Sequence, residues 1–148
     1  MTLLLLFNQP PLHEDLLDSA RRFIEQKHYA VAVVLAQTAC EVFTEQVRNQ
    51  LIQTRQLSAI GDWIAERTRR ADLRHDALQG LYVALTNDPI TQAPFWQEYA
   101  KHVGRRNNVV HKGFQVSREE AEGSCEVVGA MIAHLKGVMA QIAGTEDR

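Results

Sequence analysis

The chain has 148 residues, of which 45% are hydrophobic and 23% are charged, and its formal net charge is −2 at pH 7. This length suits one domain with a hydrophobic core, and this composition is typical of a folded chain rather than a disordered one. The slightly negative net charge gives no overall attraction to nucleic acid, so any binding of a polyanion requires a local basic surface.

The N-terminal run 1–7 is apolar, but it has no basic n-region and is shorter than the hydrophobic run of a signal peptide before Pro10-Pro11 ends it, so the pattern does not predict a signal peptide. No segment is expected to span a bilayer, and we expect a cytoplasmic protein without membrane contact. Cys40 and Cys125 lie on apolar helix faces without metal-ligand spacing, which favours buried free thiols. The sequence predicts no metal and no cofactor.

Apolar residues recur every three or four positions through most of the chain, which indicates helices. The predicted segments are 12–27, 29–55, a short helix after Ser58, a helix around 73–85, a helix from Pro94 to a stop at Gly113, and a final helix opened by the capping box of Ser117 and Glu120. Trp63, Trp96 and Tyr99 have the spacing of core residues. We therefore predict an all-α antiparallel bundle of four to six helices over 1–148, with 1–11 and 144–148 flexible or peripheral.

The helix that ends before Gly113 carries polar side chains on its apolar face. Following the apolar stripe forward leads onto Arg106 and Asn107. The stripe consists of Trp96, Tyr99, Val103 and Val110. Burying an arginine and an amide costs several kcal/mol unless they are paired, so these groups are either satisfied internally or used in a cleft.

His111 shares a face with Asn107, whereas Arg106 lies about 100° away from Asn107 on an ideal helix. One helix therefore does not bring Arg106 against His111, and the two side chains flank a site rather than pair. A structural interpretation stays open, in which Arg106 extends to the surface, Asn107 caps a neighbouring helix and His111 is a favourable cation near a helix C-terminus.

The run 106–111, Arg-Asn-Asn-Val-Val-His, resembles the Arg-polar-x3-His signature of HEPN domains, the "higher eukaryotes and prokaryotes nucleotide-binding" superfamily. The likeness extends to Lys112-Gly113 and 117–121, and the segment 34–41 resembles the corresponding helix of bacterial HEPN proteins. The resemblance implies a helical bundle that dimerises, with the motifs of two subunits facing each other across a cleft. Many members are metal-independent endoribonucleases, often toxins or antiviral defence proteins.

The resemblance implies that Arg106 and His111 are a catalytic pair, that Asn107 orients them and that Glu41 is a supporting acid. The expected reaction is attack of an RNA 2′-hydroxyl on the adjacent phosphate in a composite dimer cleft. The expected partners are a second copy of the chain, RNA and a protein antitoxin of nucleotidyltransferase type. The alternative is a non-catalytic HEPN module that mediates dimerisation or binds a partner or nucleotide.

Basic residues around the motif predict an RNA-binding surface. Its predicted members are Lys101, His102, Arg105 and Lys112, in a stretch of sequence without a carboxylate. A second basic cluster, at 67–75, is interleaved with acidic residues and is interpreted as a solvated face.

Overall fold

The computed structural model describes residues 10–69 and 72–146, and it contains six α-helices and no strand within them. The helices are α1 (Leu12–Glu25), α2 (Tyr29–Thr54), α3 (Gly61–Arg67), α4 (Asp76–Thr86), α5 (Trp96–Lys112) and α6 (Arg118–Glu146), with single 3-10 turns at Ser58–Ile60 and Ile90–Gln92. The predicted all-α bundle of four to six helices is confirmed.

The long helix α2 lies at the centre of the bundle and packs against α1, α5 and α6. Helices α1 and α2 run antiparallel, because Phe23 contacts His28 beside the connecting turn while His13 contacts Phe43 far from it. Five helices contribute to one apolar core. Representative core residues are Leu17, Ala36, Tyr82, Tyr99 and Leu135. Burial of these side chains is the main force that holds the helices together.

The connection between α5 and α6 follows the two signals in the sequence. Gly113 ends α5 with φ of 64°, and the N–H of Phe114 returns to the carbonyl of Asn108. The N–H of Ser117 donates to Glu120 Oε1 at 3.1 Å, and the N–H of Glu120 donates to Ser117 Oγ at 3.1 Å. The predicted stop and capping box are both confirmed, and they fix the end of the helix that carries the motif.

Some helix ends differ from the predicted ones. Helix α1 stops at Glu25 because Lys27 adopts a left-handed φ of 65°. Helix α5 begins at Trp96, not at Pro94, and α6 includes Gly144, where a peripheral tail is predicted. The predictions for 1–9 and 147–148 lie outside the described residues.

Two residues assigned to core positions by their spacing are exposed. Trp63 is 56% exposed, because the short helix α3 buries only Ile64; the guanidinium carbon of Arg67 lies 3.9 Å from the centroid of the Trp63 ring. Val110 is 49% exposed. Arg105 donates to the carbonyl of Glu120 in the first turn of α6. The last turn of α5, which carries Val110, therefore extends beyond the start of α6 and is not covered by it.

By length and composition alone, the helices at Tyr29–Thr54 and Arg118–Thr145 are apolar enough to cross a membrane, contrary to the expectation that no segment would be. The core helix of a water-soluble protein passes the same test, and both helices supply buried residues to the bundle.

Candidate active site

The motif residues line an open cleft with a volume of about 620 Å³. Arg106, Asn107 and His111 come from α5, and Glu41 comes from α2. The complete lining is Thr38, Glu41, Val42, Glu45, Arg69, Asp72, Arg106, Asn107 and His111. The fold therefore brings the three predicted catalytic residues and the predicted supporting acid of one chain to the same cleft, with Arg106 and His111 on its wall.

The guanidinium of Arg106 is held by residues on two helices. Its Nη1 donates to Asn107 Oδ1 at 3.2 Å, and its Nη2 lies 4.0 Å from Glu41 Oε1. The Nε atom is buried without a hydrogen-bond partner among the described residues, while the side chain as a whole is 30% exposed. The buried Nε–H cannot reach a ligand, but Nη1 and Nη2 carry four N–H groups, more than the contacts with Asn107 and Glu41 use, so Arg106 keeps terminal donors for a ligand in the cleft.

His111 lies in the last turn of α5 and is exposed to solvent. An exposed imidazole can exchange protons with water, so His111 is accessible for acid or base chemistry.

His102 does not fit its predicted place on an RNA-binding surface. The ring is 0% exposed, and its Nε2 atom lies 2.9 Å from Gln37 Oε1 beneath the cleft. Burial, with added repulsion from Arg105 and Arg106, lowers the pKa of His102 to about 4. A buried neutral imidazole cannot contact a phosphate, so this prediction is wrong; His102 belongs to the core face of α5.

None of the other three predicted RNA contacts lines the cleft. Lys101 is exposed and pairs with Glu98 at 2.8 Å, which lowers the pKa of that carboxyl. Arg105 donates to the backbone carbonyl of Glu120 at 3.0 Å and so ties α5 to α6. Lys112 is exposed near the end of α5. Lys101 and Lys112 can still meet a polyanion outside the cleft, whereas Arg105 is committed to a structural contact.

The charge of the cleft is mixed rather than basic. Arg69 and Arg106 are its permanent cations, and Glu41, Glu45 and Asp72 are its carboxylates. The sequence near the motif has no acidic residue, but the fold brings these three from α2 and from the segment before α4. Three carboxylates near two arginines reduce the local attraction for a phosphate backbone.

Sequence reasoning missed Arg69 and Asp72, which belong to the cluster interpreted as a solvated face. No sequence signal singles them out, because their approach to α5 depends on how the chain between α3 and α4 folds back. Glu45 did carry a signal, since it lies one helical turn after Glu41 on the polar side of α2.

Both cysteines are buried free thiols, as predicted. Burial raises the pKa of Cys40 to about 12, so its thiolate is not formed near neutral pH. In the described ranges, no group of three or more His, Cys, Asp or Glu side chains is placed to hold a metal ion.

Comparisons of the chain with models of known protein families, with curated proteins and with solved structures find no significant match. The residues and geometry of the cleft, together with the resemblance of the motif, are therefore the basis for inferring a function.

Proposed function

We propose that the protein is a HEPN-type, metal-independent endoribonuclease that works as a homodimer. The observation that carries the proposal is the convergence of Arg106, Asn107, His111 and Glu41 on one solvent-open cleft. A role as a toxin or in antiviral defence, in the cytoplasm and under a protein antitoxin of nucleotidyltransferase type, belongs to the same proposal.

The proposed reaction uses groups that this cleft offers. Neutral His111 takes the proton of an RNA 2′-hydroxyl, whose oxygen then forms a bond to the adjacent phosphorus while the bond from phosphorus to the 5′-oxygen breaks. A protonated histidine gives a proton to the departing 5′-oxygen. The products are a 2′,3′-cyclic phosphate and a 5′-hydroxyl, and Arg106 offsets the negative charge that develops on the phosphate oxygens.

A second copy of the chain supplies the second histidine in this proposal, because His111 is the one histidine that lines the cleft among the residues the structure describes. Apolar side chains beside the motif support such an interface. Val110 is 49% exposed and Phe114 is 53% exposed. Exposed apolar residues grouped next to a site are typical of surfaces that a partner covers.

The acidic residues of the cleft favour a second candidate function, a non-catalytic module that binds a protein partner or nucleotide. Glu41 faces Arg106 at 4.0 Å, and an arginine neutralised by a carboxylate is a weaker phosphate ligand than a free one. In that case Arg106 and His111 would stabilise the fold or the dimer instead of cleaving RNA.

The test is cleavage of a labelled RNA pool by the purified chain in excess EDTA, comparing the wild type with Arg106→Ala and His111→Ala. We expect loss of at least about 100-fold in rate for each variant, with unchanged melting temperatures. Product ends should be 2′,3′-cyclic phosphate and 5′-hydroxyl, and a substrate with 2′-deoxy sugars should resist cleavage.

Arg67→Ala and His28→Ala are the matched controls, because both residues are exposed and neither lines the cleft. These variants should cleave like the wild type. An inactive wild type, or equal activity in all five proteins, contradicts the nuclease proposal. Lower melting temperatures or a broken dimer in the Arg106 and His111 variants alone would favour the non-catalytic module.

A further inference from the structure

A continuous set of polar contacts connects the buried core to the wall of the cleft. His102 Nε2 lies 2.9 Å from Gln37 Oε1, Gln37 Nε2 donates to Glu41 Oε1 at 3.4 Å, and Glu41 Oε1 lies 4.0 Å from Arg106 Nη2. Gln37 is 1% exposed and His102 is 0% exposed, so the first half of this set has no access to water.

The chemistry of the groups fixes the direction of these contacts. The side-chain carbonyl of Gln37 only accepts hydrogen bonds, so His102 must carry its proton on Nε2. His102 Nδ1 is buried without a partner among the described residues, which disfavours the tautomer with the proton on Nδ1. Because the carbonyl of Gln37 faces His102, its NH₂ group faces Glu41.

A buried hydroxyl restrains a second carboxylate of the cleft in the same way. Tyr99 is 0% exposed, and its hydroxyl donates to Asp72 Oδ1 at 3.2 Å. Burial raises the pKa of Tyr99 well above its ordinary value, so this hydroxyl keeps its proton as a donor. Glu41 and Asp72, two carboxylates that line the cleft, thus each accept a hydrogen bond from a buried side chain. The donors are Gln37 and Tyr99.

We propose that Gln37 is a positioning residue: its amide, oriented by His102, holds Glu41 so that Glu41 fixes the guanidinium of Arg106 in the cleft. The consequence for catalysis rests on the proposed nuclease function, while the positioning itself does not. A misplacement of about 1 Å at a reacting group can reduce a rate by about 100-fold, so the contribution of such a residue is measurable.

The first measurement needs no variant. The ¹⁵N chemical shifts of the imidazole of His102 at pH 7 report which ring nitrogen carries the proton. We expect the proton on Nε2. A proton on Nδ1 overturns the proposal, because Gln37 would then have to turn its NH₂ group toward His102 and its carbonyl toward Glu41.

The second measurement follows the Nε–H signal of Arg106 by NMR in the wild type and in Gln37→Met, which keeps the side-chain length but removes the amide. We expect hydrogen exchange of this N–H to become at least about tenfold faster. Thr44→Val is the matched control, because Thr44, like Gln37, is buried on α2, but its hydroxyl makes no hydrogen bond to Glu41 or Arg106. It should leave the Arg106 signal unchanged.

Glu41→Gln tests whether Gln37 acts through Glu41. In that background, adding Gln37→Met should change the Arg106 signal no further. If the Gln37 effect persists there in full, or if Gln37→Met leaves Arg106 unchanged, the proposal fails. Should Gln37→Met not fold, Gln37→Glu replaces it, since a carboxylate still accepts from His102 but no longer donates to Glu41.

Activity assays separate this inference from the proposed function. In an active wild type, we expect Gln37→Met to lower kcat by about 10- to 100-fold with little change in KM, and the effect to vanish beside Glu41→Gln. An inactive wild type with the expected NMR changes removes the nuclease proposal and leaves the positioning role. If the wild type cleaves RNA but Gln37→Met leaves the Arg106 signal unchanged, the nuclease proposal stands and the positioning role is refuted.

Discussion

Acidification from pH 7 to pH 4 should destabilise this protein through His102. In the unfolded chain a histidine has a pKa of 6.5, whereas burial and the nearby Arg105 and Arg106 lower the pKa of His102 in the folded state to about 4. Below pH 6.5 the unfolded state takes up a proton that the folded state does not bind until about pH 4. The contribution of neutral His102 to the free energy of unfolding is therefore fully present above pH 6.5 and is lost as the pH falls.

The size of this effect follows from the two pKa values. At about 1.4 kcal/mol per pKa unit, the difference between 6.5 and about 4 corresponds to about 3 kcal/mol. A loss of about 3 kcal/mol is a large share of the stability of a typical domain, which is roughly 5 to 15 kcal/mol. His13 adds to the same trend, because burial also lowers its pKa.

Urea unfolding at several pH values between 7 and 4, followed by circular dichroism, measures the effect. His102→Gln removes the titrating group but keeps an amide donor for Gln37. We expect this variant to be less stable than the wild type at pH 7 and to lose about 3 kcal/mol less on acidification. His28→Gln, at an exposed position, should retain the wild-type profile. Parallel profiles for the wild type and His102→Gln would refute the reasoning.

Four further substitutions test the end of α5, the start of α6 and the interior of α6. Ser117→Ala should cost about 1 kcal/mol in urea unfolding, because it removes the side-chain acceptor of the capping box; a loss below about 0.3 kcal/mol would contradict the observed hydrogen bond. Gly113→Ala should cost roughly 1 kcal/mol through its φ of 64°, whereas Gly137→Ala, at an open position inside α6, should stabilise by about 0.5 to 1 kcal/mol. Val110→Asp should weaken the proposed dimer at least tenfold in sedimentation equilibrium without lowering the melting temperature of the monomer, and an unchanged dimer would place the interface elsewhere.

The local features of the fold could be predicted from the sequence because they depend on neighbours along the chain. Apolar residues at helical spacing define the helices, and Gly113 and the Ser117 capping box act within a few residues of themselves. The position of Arg106, Asn107 and His111 near the end of α5 is also a local property. The end of α1 was less predictable, because it depends on the left-handed backbone of Lys27. A residue other than glycine at such a position is not recognisable from its type.

The composition of the candidate site was only partly predictable. Glu41 was assigned from the resemblance of α2, and the fold places it 4.0 Å from Arg106. Arg69 and Asp72 were missed, because sequence separation does not reveal that the segment before α4 approaches α5. The burial of His102 was not predicted, since a histidine in a stretch that also contains Lys101 and Arg105 has the same appearance whether it faces solvent or core.

The sequence by itself determined the helices, the caps that bound α5 and α6, and the location of the motif, because short-range hydrogen bonding and the period of the α-helix act along the chain. Tertiary structure decided which side chains meet. It buried His102 against Gln37, left Val110 exposed beyond the first turn of α6, and gave the cleft its mixed charge. These outcomes depend on how separate helices pack, and packing energy is shared among residues that are far apart in sequence.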